Sequence, residues 1–245
     1  MNVTPTHLAI VHSHFEPGDV TDAVRHHVAR VRDRGDGRDR KIVLLSGNRV
    51  AGLDDPIFDQ AETIQIRDLD HDPSDPSTPS LPDDRFKGFR RAATGQASLA
   101  GRDLYERVDA ALRRAGLLPD NSLIHWHNAS LGKNAAVPFV VSHLANSGWR
   151  LLLQIHDLDA DQDPVNIRHL LAQTGATRAS TLDAIRYPVH GNIAYICPVA
   201  TDQDPPRRFV TLAPSLPEGA SIVGCPPGDS ASREAAVNDA LHAPD

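Results

Sequence analysis

The chain has 245 residues, enough for one large α/β domain with a sizeable core but short for two complete domains of that kind. Aromatic residues make up 4% and hydrophobic residues 40%, so Leu, Ile, Val and Ala must build the core, as in buried strands flanked by helices. A formal net charge of -7 argues against a duplex nucleic-acid partner, which needs a surplus of Lys and Arg to displace counterions.

Residues 8–11 form a continuous apolar run, as expected of a strand covered on both faces in a parallel sheet. The turn Glu16-Pro17-Gly18-Asp19 follows, and Val20, Val24, His27, Val28 and Val31 then recur at helical spacing, with Gly18 or Asp19 placed to cap the first turn. The basic residues between Arg25 and Lys41 are interleaved with Asp33, Asp36 and Asp39 and read as a solvated face. Residues 41–45 predict a second strand and 63–66 a short third. Residues 70–84 hold four prolines and almost no apolar residue, which predicts a disordered surface loop.

A helix carrying Leu104, Val108, Ala111, Leu112 and Ala115 is expected to stop at Gly116. Strands are predicted at 122–126 and 150–155, and helices at 135–145 and 166–173. Residues 193–196 and 220–223 are the sixth and seventh strand candidates. Between them Asp204-Pro205-Pro206 resembles a cap followed by proline at the first helical position. The alternation predicts a Rossmann-like doubly wound parallel sheet over residues 1–229, followed at 230–245 by a polar tail or the start of an interdomain connection. Cys197 and Cys225 are too few for a disulfide framework or a zinc ribbon, and no run approaches membrane-spanning length. A soluble, cytoplasmic protein is expected.

Ligands of open parallel sheets bind outside the carboxyl ends of the strands. There the first strand ends in His12-Ser13-His14, the fourth in His125-Trp126-His127-Asn128 and the fifth in His156-Asp157. Two chemistries fit these imidazoles. A His-x-His pair puts two rings on one strand face and suits a metal. Neutral imidazoles with the Asn128 amide equally suit a hydroxyl-rich substrate. A Gly-containing turn before a helix can cradle phosphate, but Glu16, Asp19 and Asp22 oppose one here, and neither GxGxxG nor a Walker-type loop is present. Lys133, in Ser130-Leu131-Gly132-Lys133-Asn134, precedes a helix and could meet an anion or the far side of an acceptor.

Three stretches resemble the N-terminal domain of the family-four, GT-B type retaining glycosyltransferases: His12-Ser13-His14-Phe15 with 17–21, His125-Trp126-His127-Asn128 with 130–134, and 151–157. The resemblance covers about 8–227. Asp19 stands where the family's pattern has a second glycine. The resemblance implies an acceptor-binding domain, with a nucleoside diphosphate sugar as donor held by a second domain supplied elsewhere, either a separate donor-binding chain or the other half of a full enzyme from which this chain is truncated. It implies that Gly18 and Val20, on either side of Asp19, belong to the loop facing the transferred sugar, that His156 reaches the sugar or acceptor from the cleft wall, and that Asp157 orients His156 or caps the following loop. His14, His127, Asn128, Lys133 and Asn134 complete the expected substrate-binding set, on an open cleft wall where the histidines are solvent-accessible. No cofactor and no metal are expected within this chain, because no motif places acidic ligands beside the histidines. The other readings are a non-catalytic carbohydrate-binding module and a metal-dependent hydrolase using the His-x-His pairs.

Overall fold

The computed structural model describes residues 5–33, 40–70, 93–130, 134–156, 170–171, 173–176, 178–200 and 207–212. Strands β1 (His7–Val11), β2 (Lys41–Ser46), β3 (Glu62–Gln65), β4 (Ser122–His127), β5 (Arg150–Gln154), β6 (Ile193–Ala200) and β7 (Arg207–Leu212) form one sheet in the order β3-β2-β1-β4-β5-β6-β7. The first six are parallel, and β7 runs antiparallel to β6. Helices α1 (Asp19–Asp33), α2 (Ala93–Arg114), α3 (Val137–Asn146) and α4 (Ala179–Arg186) are interspersed among the strands. The fold is the doubly wound α/β class that the alternation predicts.

The pleat sorts alternate strand residues onto two cores. Ala9, Val11, Val43, Leu45, Ile124, Trp126, Leu151 and Leu153 face Leu104, Val108 and Leu112 of α2 and Val140 and Leu144 of α3. Ile10, Ile42 and Leu44 face the other way, where Val24 and Val28 of α1 cover them. This covering of both sides explains the unbroken apolar runs in the sequence. α2 stops where expected, with Leu117 N–H returning to the Leu112 carbonyl at 3.0 Å beside Gly116. Arg25 pairs with Asp22 and Asp55 and Lys41 with Glu62, while residues 34–39 between them lie outside the described residues.

The expectations for the C-terminal part need correction. The seventh strand is Arg207–Leu212, and the residues after Asp204-Pro205-Pro206 therefore extend as a strand where a helix was expected. An antiparallel partner needs only a short connection, whereas a parallel one needs a crossover, and the proline pair marks that connection. The candidate at 220–223, the tail at 230–245 and the proline-rich loop beyond Asp70 lie outside the described residues. Of the helix expected at 166–173, residues 170, 171 and 173 are described and helical. α4 was not foreseen.

Candidate functional site

The order reverses between β1 and β4, so the loops after these strands diverge to opposite sides and leave a crevice at their carboxyl ends. A cleft of about 300 Å³ opens there, and its walls include His12, His14, Glu16, Gly18, Asp19, Val20, Arg49, Asp70, His127, Asn128 and Asn134. Its roof is the entry to α1. The Gly18 carbonyl accepts the first helical bond from Asp22 N–H at 2.9 Å, and the buried Thr21 hydroxyl donates to the Glu16 carbonyl at 2.6 Å. Gly18, Asp19 and Val20 therefore line the cleft, with Gly18 and Asp19 exposed.

Two charged residues were missed from the sequence. Arg49 follows β2 and Asp70 follows β3, and the parallel topology carries both to the same edge. Asp70 is buried and accepts from Asn48 N–H at 2.9 Å, while Arg49 stands 3.7 Å from Asp70 and 3.1 Å from Glu16. His14 closes the row at 3.6 Å from Glu16. Gly47 makes the arrangement possible, since a Cβ there would lie 2.1 Å from the Asp70 carboxyl carbon. Asp70 was read as the first residue of a disordered loop; a carboxylate tied to a backbone N–H is the opposite of that.

Asn128 and Asn134 reach the cleft with much of their bonding capacity already engaged. Asn128 adopts φ 55°, a left-handed conformation that Asn tolerates better than most residues. Its Oδ1 accepts from His156 N–H at 2.8 Å and so ties the end of β4 to the end of β5. Asn134 donates to the Asp68 carbonyl and accepts from Ala136 N–H before α3. Asp157 and Lys133 lie outside the described residues.

The histidines are less open than expected. His12, His125 and His127 are buried and His156 is half-buried, because His125 and His127 point to the α1 side of the sheet and lie near His27 of that helix. His12 Nδ1 donates to the His127 carbonyl at 3.2 Å, His125 Nε2 donates to Gln154 Oε1 at 2.9 Å, and His127 Nδ1 lies 2.7 Å from His156 Nε2. His156 does not itself line the cleft and meets it through His127. Burial, reinforced by His27, pulls the His125 imidazole down to about 3 and the His156 imidazole to about 4. His127 is held well below its ordinary value of 6.5 by burial and then by His125, and His27 is lowered by burial and Arg30. His27, His125, His127 and His156 are therefore neutral at physiological pH, and each of these rings presents one N–H and one lone pair.

Comparison with protein-family models, with curated proteins and with solved structures finds no match for this chain. The fold and the cleft define a doubly wound α/β domain with a ligand-sized crevice at its topological switch point. No helix among the described residues is long and apolar enough to cross a membrane.

Proposed function

We propose that the cleft binds a neutral, hydroxyl-rich acceptor such as a carbohydrate, as the acceptor half of a glycosyl-transfer system whose donor site is supplied by another domain. One observation carries this reading. Glu16, Asp19 and Asp70 line the cleft, and the only Lys or Arg among its described lining residues, Arg49, stands against two of them. A phosphate would meet three carboxylates against one guanidinium there, whereas sugar hydroxyls donate to carboxylates and exchange bonds with imidazoles. In this reading His14, Glu16 and Asp70 recognise hydroxyls, the exposed Gly18–Asp19 turn faces the transferred sugar, and His156 orients His127 at the floor. The resemblance of His12-Ser13-His14-Phe15, His125-Trp126-His127-Asn128 and residues 151–157 to GT-B domains supports the same assignment. A non-catalytic carbohydrate-binding module would use the same cleft without a donor domain.

Saturation-transfer NMR with a panel of neutral mono- and disaccharides tests this. Sugar contacts that disappear in His14→Ala and Asp70→Asn are expected. Binding of inorganic phosphate or nucleoside diphosphate in preference to every sugar would overturn the reading.

A further inference from the structure

On the α1 side of the sheet, apolar packing gives way to three imidazoles. Ile10, Val24, Val28, Ile42 and Leu44 form the apolar part, and His27 of α1 meets His125 and His127 of β4 beside it. The strand residues are two apart, so the pleat aims both rings at the helix. The His27 ring centroid lies 5.0 Å from that of His125 and 5.6 Å from that of His127, and those two are 4.3 Å apart. One nitrogen from each ring falls within 4.8 Å of the other two.

Desolvating three imidazoles is costly where aliphatic side chains would pack, and the hydrogen bonding does not fully offset it. His27 Nδ1 and His127 Nε2 are buried and have no hydrogen-bond partner among the described residues. Orphaned polar atoms of this kind call for a missing partner. The opposite nitrogens of the two strand residues are held, His125 Nε2 by Gln154 and His127 Nδ1 by His156. Metal-binding histidines divide their nitrogens in this way, one oriented by a protein acceptor and the other left as a lone pair for the ion.

We infer that His27, His125 and His127 form a binding site for a divalent transition metal of the zinc class. Three imidazoles with no carboxylate in the set suit zinc and disfavour magnesium or calcium, which take oxygen ligands. Nitrogens around tetrahedral zinc stand about 3.4 Å apart, so the rings close by roughly 1 Å on loading. Half-buried His27 provides the entry route, and the ion fastens α1 to β4. It also keeps the proton of His127, which lines the cleft, on Nδ1 facing His156. Its role is positional, and it stands independently of what the cleft binds. In the sequence His125 and His127 already read as a metal-competent His-x-His pair, but His27 entered only as one member of a helical stripe.

The test uses the full chain, stripped with EDTA and titrated with ZnCl2 by calorimetry and with CoCl2 by visible absorption. One ion per chain, a cobalt spectrum of tetrahedral intensity and a zinc-dependent rise in Tm are expected. His27→Ala should weaken zinc binding at least about 100-fold and Gln154→Ala about 10- to 100-fold. His26→Ala, one position along on the exposed face of α1, should bind as the unaltered chain does. Absence of stoichiometric zinc and of any Tm rise in the unaltered chain overturns the inference, whatever the variants do. So does zinc binding that survives His27→Ala but is lost in His14→Ala.

Discussion

His127 Nδ1 and His156 Nε2 lie 2.7 Å apart, with their rings stacked at 5.0 Å, so a residue ending β4 and one following β5 share a single proton. The contact joins the buried imidazole layer to the cleft. Replacing His156 with Ala leaves the buried His127 nitrogen to find water. A loss of about 0.5–1.5 kcal/mol is expected, the net worth of one such hydrogen bond, in urea unfolding. An unchanged urea midpoint would show that the contact contributes nothing.

The imidazole layer also sets an acid limit. His27, His125, His127 and His156 all have folded-state values below the 6.5 that each regains on unfolding. Below pH 6.5 the unfolded chain therefore binds more protons than the folded one. The stability is full above pH 6.5 and falls as the pH descends toward about 4, where His156 begins to charge in the folded protein. With EDTA present, the urea midpoint should drop between pH 7.5 and 5.0, with an uptake of about two to four protons on unfolding. A flat profile across that interval would contradict the neutral cluster.

Gly47→Ala tests how closely the β2 loop approaches Asp70. The added methyl carbon would lie within 2.5 Å of three Asp70 atoms, and must displace a buried carboxylate from Asn48 N–H. A loss of about 1–3 kcal/mol is expected, together with weakened sugar binding. Gly191→Ala, which meets nothing within 4 Å, should stay within about 0.5 kcal/mol of the unaltered protein.

Trp149 is fully buried, and its indole N–H donates to Asp109 Oδ1 at 2.8 Å while Arg113 lies over the ring. Asp109→Ala removes the acceptor of a buried donor. A loss of about 1–3 kcal/mol, with a shift in tryptophan emission, is expected. A change below about 0.3 kcal/mol would mean that water replaces the carboxylate.

The sheet was legible because its central strands are covered on both faces, which runs such as 8–11, 42–45 and 151–155 announce. The carboxyl-edge histidines were legible for a related reason: polar rings closing an apolar strand mark where the strand leaves the core. The residues that complete the cleft were not. Arg49 and Asp70 follow different strands, and only the register between β1, β2 and β3 brings Arg49 beside both Asp70 and Glu16. The same holds for His27: spacing predicts its helix face correctly, but not that β4 answers with His125 and His127. β7 escaped because an antiparallel edge strand carries a weaker apolar pattern than a parallel one buried on both faces.

The central position of β1 has a kinetic consequence. One neighbour, β2, follows it directly, but the other, β4, arrives so late that the contact between His12 and His127 spans 115 positions of chain. Until that length has been synthesised, one edge of β1 has no partner, and closing so large a loop must precede any gain from the pairing. A growing chain therefore carries an open apolar edge through much of its synthesis, and refolding from denaturant should be slow and prone to aggregation at high protein concentration.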